Sequence, residues 1–313
     1  MKKSLIFIAS VLSLLVGCTK EKSIFPSGDT VSVAVTASLP NVATKAVADG
    51  DGQADSLDHW VIEVRDTLQK DVVYYWTEKA GEKGALSQTF ELTLVKEHTY
   101  DIAFWADKSG CYDASNLKQV SFIDITKVGN SDSYDAFFAC KQFKADGTTA
   151  MSAQLHRPLA QINIITTDLP ELKDATTEEA FLSNKPKTFS FKTTLPTVFD
   201  VYSGKTSVEQ EVTITPAAAV DTCYGDYAAA KDSTTIFMVY ALTTLDTDTD
   251  GTSDIRNIDF SFKSGDVDLS YDFSSIPLKR NWRTNIIGTF MTNTATWTVE
   301  VVPTWKGEMK GNE

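Results

Sequence analysis

Apolar and polar residues alternate along most of the chain, and this period of two restricts the chain to β-strands that bury one face. Turn-forming stretches, such as 49–52 and 263–266, separate the alternating segments, and helical periodicity is scarce. The alternating sets are Val31/Val33/Val35, Trp60/Ile62/Val64, Phe90/Leu92/Leu94, Tyr100/Ile102/Phe104, Phe189/Phe191, Ile236/Met238/Tyr240, Ile258/Phe260/Phe262, Tyr271/Phe273 and Trp297/Val299/Val301. The sequence therefore predicts an all-β chain of antiparallel β-sandwiches, each with two sheets around one core.

The composition agrees with this fold class and excludes some functions. The 313 residues include 38 threonines, and 11% of all residues are aromatic, a bias that favours strands over helices. The net charge of −13 argues against nucleic-acid binding, which depends on clustered Lys and Arg side chains. The composition thus indicates an acidic, β-rich protein and does not by itself indicate an enzyme.

The length of the chain suits two ordinary domains. Pro158 cannot donate a hydrogen bond to a sheet, so it marks a strand start, a sheet edge or a crossing between sheets. We place the domain boundary nearby. The predicted organisation is a signal peptide at 1–17, a tether at 18–30, an N-terminal β-sandwich at 31–152 and a C-terminal β-sandwich at 153–313.

The first eighteen residues have the pattern of a bacterial export signal. Lys2 and Lys3 precede an apolar run over residues 5–16, which is too short to span a membrane. The run ends in Gly17-Cys18, and residues 15–18 resemble a lipobox, which implies that Cys18 is acylated after cleavage. The alternative is an ordinary secretory signal that contains a cysteine. Several acyl chains on one residue give stable membrane anchoring.

The resemblance to a lipobox has consequences for location and charge. Thr19 follows the cysteine where lipoproteins retained in the inner membrane have Asp, so we expect a lipid anchor in the outer membrane. Lys20-Glu21-Lys22 resembles the charged tether of lipoproteins exported to the surface, so we expect the chain to be exposed at the cell surface. Loss of residues 1–17 removes two of the 29 basic residues and none of the 42 acidic ones, so the balance becomes 27 − 42 = −15.

Three cysteines remain after Cys18, namely Cys111, Cys140 and Cys223. An odd number in an oxidising compartment leaves at least one of them unpaired. Cys111 and Cys140 could form a disulfide within one domain, but three buried free thiols are the favoured interpretation. The sequence has no CxxC pair that would indicate zinc or redox chemistry.

The sequence contains no recognisable catalytic constellation. His59, His98 and His156 are far apart and form no HExxH motif, and no GxSxG sequence occurs. His59 and His98 flank predicted strands, where we expect them to form hydrogen bonds in a core or an interface. We therefore predict that the chain is not an enzyme and needs no catalytic cofactor.

One acidic stretch has the spacing of a calcium loop. Asp246, Asp248, Asp250 and Asp254 occupy positions 1, 3, 5 and 9 of such a loop, and Gly251 occupies position 6. Carboxylate oxygens on alternating residues can converge on one cation. Position 12 holds Asn rather than the usual Glu, and the alternative is an acidic hairpin tip between strands that end near residue 245 and start near 255.

Two further motifs carry a resemblance to a known family. Residues 155–164, LHRPLAQINI, match an Arg-x-x-Ala-x-(Ile/Val) strand, and residues 276–290 contain the signature Asn-aromatic-x-Thr-x-(Ile/Val)-x-Gly. Together with the lipobox and the short tether, these motifs resemble the Bacteroidales-type fimbrillins, which are lipoprotein pilins of type V pili. The resemblance covers the whole chain and implies two transthyretin-like β-sandwiches in tandem.

The resemblance also implies a mechanism of assembly. In fimbrillins that polymerise, cleavage after a basic residue behind the first strand opens a groove that a strand from the next subunit fills. Lys45 occupies the corresponding place here, although the family's protease prefers Arg. The implied donor is the segment 296–303, in which Trp297, Val299 and Val301 alternate. The partners would be like subunits or other fimbrial subunits. The alternative is a solvated Lys45 and an ordinary core strand.

A second function remains open at the level of the sequence. A surface lipoprotein that does not polymerise could bind a glycan or a host ligand through exposed aromatic rings. Trp76 and Trp105 are the candidates, but burial in the core is the favoured interpretation for both.

Overall fold

The computed structural model describes residues 21–23, 28–40, 57–68, 72–82, 85–216, 234–243, 254–292 and 296–302. Strands dominate this part of the chain, and the helices are short. The strands are β1 (Glu21–Ser23), β2 (Thr30–Ser38), β3 (His59–Asp66), β4 (Val73–Ala80), β5 (Ser87–Val95), β6 (Thr99–Asp107), β7 (Tyr112–Asp113), β8 (Val120–Phe122), β9 (Phe137–Lys144), β10 (Ala150–Gln154), β11 (Leu159–Thr166), β12 (Pro186–Asp200), β13 (Lys205–Ile214), β14 (Thr234–Leu242), β15 (Asp254–Ser264), β16 (Val267–Leu278), β17 (Arg283–Gly288) and β18 (Trp297–Val302). The helices are α1 (Leu169–Ala175), α2 (Glu178–Ser183) and two 3₁₀ helices, Ile125–Lys127 and Asp132–Tyr134.

The strands form four sheets. A five-stranded sheet has the order β1-β4-β3-β6-β9, and a three-stranded sheet has the order β10-β2-β5. A four-stranded sheet has the order β14-β11-β17-β18. The largest sheet has the order β16-β15-β12-β8-β7, and β13 also pairs with β12. The fold is therefore an all-β sandwich fold, as the alternating pattern predicts.

The five-stranded and three-stranded sheets enclose the first core. Val33 and Val35 of β2 and Leu92 of β5 face Ile62 and Phe104 of the other sheet, and all five side chains are buried. The same alternation that predicted these strands places these side chains on the inner face of each sheet. Removing such side chains from water supplies most of the stabilisation of the sandwich.

The outer face of the five-stranded sheet is also covered. Val61 and Trp105 on this face belong to one continuous buried cluster that includes Phe199 and Phe237 of the C-terminal sheets. Glu63 and Arg65, which alternate with the first-core residues of β3, are only 1% and 5% exposed. The N-terminal sandwich is thus packed against the rest of the molecule through a buried face rather than through a thin linker.

All nine alternating sets lie in strands, so the sequence located these segments correctly. The prediction of purely antiparallel sheets needs one correction, because β10 runs parallel to β2 and β11 runs parallel to β17. Both parallel pairs join strands that are distant in sequence, so no turn motif marks them.

The change of sheet near mid-chain falls around Pro158. β10 ends at Gln154 in the three-stranded sheet, and β11 begins at Leu159 in the four-stranded sheet. However, β7 and β8 precede this point and join the largest sheet, where β8 pairs with β12. The division of the chain into domains at 152/153 remains a prediction.

Candidate functional site

The strand β18 contains the predicted donor residues and lies at the edge of the four-stranded sheet. Within the described residues, β17 is its one pairing partner, in antiparallel register from Gly288↔Trp297 to Arg283↔Val302. Trp297, Val299 and Val301 are half-buried, whereas Thr298 and Glu300 between them are exposed. The rings of Trp297 and Phe273 meet edge to face, with centroids 5.3 Å apart. β18 therefore presents alternating apolar side chains to the core from a strand held on one side.

The close seating of β18 depends on a glycine of the signature motif. A Cβ atom at Gly288 would lie 2.4 Å from the carbonyl oxygen of Thr296 and 2.9 Å from Cβ of Trp297. Only a residue without a side chain lets β17 and the start of β18 approach this closely. The sequence showed this glycine in the motif but not the contact that explains it.

The strand β2 occupies the middle of its sheet. It pairs with β5 in antiparallel register from Thr30↔Val95 to Ser38↔Ser87, and with β10 in parallel register from Ala34↔Ala150 to Ser38↔Gln154. Val33, Val35 and Ala37 are fully buried. The first predicted strand is therefore the central strand of its sheet rather than an edge strand.

The predicted processing residues lie outside the described residues. Lys45 falls within 41–56 and Cys18 within 1–20, neither of which the structure describes. Part of the predicted tether forms β1, whose backbone pairs with β4 in the register Glu21↔Thr77 to Ser23↔Tyr75. The tether is thus docked on the edge of the five-stranded sheet three residues after Cys18.

The two motifs behind the family resemblance lie next to each other. β11 and β17, which carry them, are parallel neighbours with Ile162 opposite Thr284. Arg157 donates two hydrogen bonds of 2.6 Å to the carboxylate of Asp135 and one of 3.1 Å to Oδ1 of Asn281. Because Arg157 is 6% exposed, this pairing satisfies a nearly buried charge. Nothing in the sequence indicated that Asp135 would be the partner of Arg157.

The predicted calcium ligands are only partly described. Asp246, Asp248 and Asp250 lie in 244–253, outside the described residues. Asp254 begins β15, and its carboxylate lies 2.7 Å from the guanidinium of Arg256. The hairpin alternative is wrong, because β14 and β15 belong to different sheets. In the part of the chain that the structure describes, no group of three or more His, Cys, Asp and Glu residues could hold a metal ion.

The histidines at strand ends form the expected hydrogen bonds. Nδ1 of His59 lies 2.5 Å from Oδ1 of Asp107, and Nε2 lies 3.4 Å from Oε2 of Glu78. Burial acts to lower the pKa of His59, but the bonds and charges of Asp107 and Glu78 outweigh it and raise that pKa. His98 similarly lies 2.6 Å from Asp66 through Nδ1.

The two described cysteines are both free thiols. Cys111 is buried and Cys140 is half-buried, and Cys223 lies outside the described residues. Burial raises the pKa of Cys111 to about 11 and that of Cys140 to about 12, so neither is a reactive thiolate at neutral pH.

The two tryptophans proposed as a glycan platform differ in exposure. Trp105 is fully buried, 5.2 Å from the ring of Tyr112 between centroids, so its core interpretation is confirmed. Trp76 is half-buried, and its Nε1 donates a hydrogen bond of 3.4 Å to the carbonyl of Ala114.

No described helix is long and apolar enough to cross a bilayer.

Comparisons with known proteins give a family and several structural neighbours. Residues 26–313 match a family of unknown function (DUF6562). No curated protein matches the sequence. A candidate polysaccharide-binding protein (DUF1812) from Bacteroides thetaiotaomicron aligns with 87% of this chain and 96% of its own, at 11% identity and a TM-score of 0.49.

Two fimbrial proteins from Porphyromonas gingivalis also align. The alignment with the tip fimbrial protein Mfa3 covers 88% of this chain and 99% of Mfa3. The alignment with the fimbrial anchor protein Mfa2 covers 86% of this chain and 97% of Mfa2. Both are 11% identical to this chain, with TM-scores of 0.47 and 0.46. At these identities and TM-scores, the neighbours carry no argument about what this chain binds.

Proposed function

Because the chain belongs to the family of unknown function (DUF6562), we propose a function from its own sequence and geometry: a lipid-anchored cell-surface subunit that assembles with other subunits by strand exchange. The observation that carries the proposal is the contrast between a central first strand, β2, and an edge strand, β18, with the same alternation of apolar side chains.

The position of β2 makes it a suitable strand to replace. Its loss would leave the facing backbone groups of β5 and β10 without partners and would empty the sites of Val33, Val35 and Ala37. Unpaired backbone groups and exposed apolar sites both favour the binding of an extended segment. A strand that enters this slot gains two ladders of hydrogen bonds, whereas β18 has one ladder in the described structure.

The side chains of β18 suit such a slot. Trp297, Val299 and Val301 alternate with Thr298 and Glu300, as Val31, Val33 and Val35 alternate with Ser32 and Ala34 in β2. The donor would therefore present apolar side chains inward and polar ones outward. β18 would leave an edge where β17 alone pairs with it among the described strands, so the donor subunit would keep the rest of its sheet.

The sequence suggests how the slot could open. Cys18 would carry the acyl chains, and cleavage after Lys45 would separate residues 18–45 from the rest of the chain. Both β1 and β2 precede Lys45. One cut would therefore release β1 from the edge of the five-stranded sheet and β2 from the centre of the three-stranded sheet. The acidic balance of the mature chain would favour solubility outside the cell.

A site-specific cut tests the proposal in vitro. We insert a recognition sequence for a viral cysteine protease between Lys45 and Ala46 of the full chain, cut it, and look for SDS-resistant ladders of two or more subunits. We expect ladders only after cutting. Val301→Asp should lower the ladder yield by at least about tenfold, because a carboxylate would enter an apolar slot without a partner.

Thr298→Asp is the matched control. It places the same charge on the exposed face of β18 and should leave the ladder unchanged. A cut chain that stays monomeric, whether or not the N-terminal fragment dissociates, would contradict strand exchange. Equal ladders from Val301→Asp and Thr298→Asp would contradict the assignment of β18 as the donor.

A further inference from the structure

A cavity lies on the outer face of the five-stranded sheet, beside the segment that leads from β7 to β8. Its volume is about 930 Å³, within the range of small-molecule sites. β3 and β4 form its floor, with Trp76 and Glu63 as direct cross-strand neighbours. Asn116 and Gln119 line its wall.

Trp76 gives the cavity a fixed aromatic surface. The hydrogen bond from its Nε1 to the carbonyl of Ala114 restrains the ring, and the partly buried side chain lines the cavity. The C–H faces of a sugar ring are apolar and carry slight positive charge, so they pack well on the negative face of an indole. A restrained ring also loses little conformational freedom on binding.

A second cavity adjoins the first. Its volume is about 560 Å³, and it shares Asp113, Lys118 and Gln119 with the first cavity. Hydroxyl groups contribute to its lining through Ser121 and Ser207. We call the two cavities together the β4–β13 groove, because they extend from β4 to residues of β13. Two adjoining cavities suit a chain of several units better than a single small molecule.

The charges along the groove are balanced. The charged lining residues are Glu63, Glu78, Asp113, Asp200, His59, Arg65, Lys118 and Lys205. Glu63 and Arg65 lie 2.6 Å apart, and the second cavity contributes two acidic and two basic residues. A phosphate or sulfate group would therefore find little net positive charge. Hydroxyl groups, which both donate and accept hydrogen bonds, match this mixture of carboxylates, amides and cationic groups.

We propose that the β4–β13 groove binds a neutral polysaccharide, with one sugar ring stacked on Trp76 and further units extending past Gln119. Neither β2 nor β18 lines the groove, whereas β1 pairs with β4 beside Trp76. The inference therefore concerns the uncut chain and does not require strand exchange.

Native electrophoresis in gels that contain a dissolved polysaccharide tests this inference with the full chain. The neutral probes are yeast mannan, amylopectin, arabinoxylan and dextran, and the anionic probes are polygalacturonate and chondroitin sulfate. We expect at least one neutral probe to retard the chain. Trp76→Ala should weaken that binding by about tenfold or more, the equivalent of losing one stacked ring.

Two further variants separate binding from folding. Gln119→Ala removes an exposed side chain that both cavities share, so it should preserve the melting temperature and weaken binding several-fold. Trp282→Ala removes a half-buried tryptophan that lies outside the groove and packs under Lys279, and it should bind like wild type.

Three results would overturn the inference. The first is no retardation by any neutral probe, and the second is retardation by the anionic probes alone. The third is that the Trp76→Ala variant and a folded Gln119→Ala variant both bind as strongly as the wild type. The ladder assay of the cut chain has a separate readout. Failure of one experiment therefore leaves the other interpretation standing.

Discussion

Arg157 shows why the motif around Pro158 needs its particular residue types. Its guanidinium holds Asp135 with two 2.6 Å bonds, reaches Asn281 and lies 4.7 Å from the centroid of the Phe137 ring. The planar fork of Arg makes such paired contacts, which the single ammonium of Lys cannot reproduce. One side chain therefore connects the loop before β9, the start of β11 and the turn before β17.

The raised pKa of His59 predicts that the stability of the fold depends on pH. Its pKa is raised in the folded chain, so its stabilising effect is complete below the unfolded value of about 6.5 and is lost as the pH rises through the folded value. Burial raises the pKa of Asp107, which also favours the folded state at lower pH. We expect the free energy of unfolding from urea titrations to fall as the pH rises above about 6.5.

The variant His59→Gln should flatten this fall, because glutamine can still donate a hydrogen bond but cannot lose a charge. His156→Gln changes an exposed histidine outside the cluster and is the matched control. If His59→Gln retains the full wild-type slope, the His59–Asp107–Glu78 cluster is not its source.

At the scale of elements, Gly288 controls how tightly β18 is seated. Gly288→Ala would place a Cβ atom 2.4 Å from the Thr296 carbonyl, which is backbone and cannot rotate away. We expect a loss of stability of about 1–3 kcal/mol, the usual cost of overpacking. Hydrogen exchange measured by mass spectrometry should become faster in a peptide that covers residues 297–302.

Gly28→Ala provides a control of similar size at a different site. Its added Cβ would meet a side-chain methyl of Val95 at 2.8 Å, next to the N-terminal sandwich. It should leave exchange in 297–302 unchanged. Unaltered exchange in Gly288→Ala would show that this contact does not hold β18 in place.

Local periodicity explains which elements could be predicted from the sequence. The alternation in β2 or β15 reports a strand with one buried face, since it depends only on neighbouring residues. β3 was located by Trp60, Ile62 and Val64, but the burial of Glu63 could not be foreseen. That burial results from packing of the outer face of the five-stranded sheet against distant parts of the chain.

The order of the strands in each sheet could not be predicted from the sequence either, because it depends on pairing between distant segments. The parallel pairing of β11 with β17 joins segments more than a hundred residues apart, and β8 pairs with β12 across the predicted domain boundary. The candidate site likewise combines features that could be predicted from local sequence with features that could not. The alternation of β18 was visible in the sequence, whereas the central position of β2 and the groove beside Trp76 depend on long-range contacts.

For the whole molecule, the central claim is that residues up to Lys45 are exchanged for a strand of another subunit. Mass spectrometry of polymers shed from cells that express the chain tests this claim most directly. The account predicts subunits that begin at Ala46, with acylated Cys18 found only in separate fragments or in an anchoring subunit. Polymers in which every subunit retains an acylated N-terminus at Cys18 would contradict it.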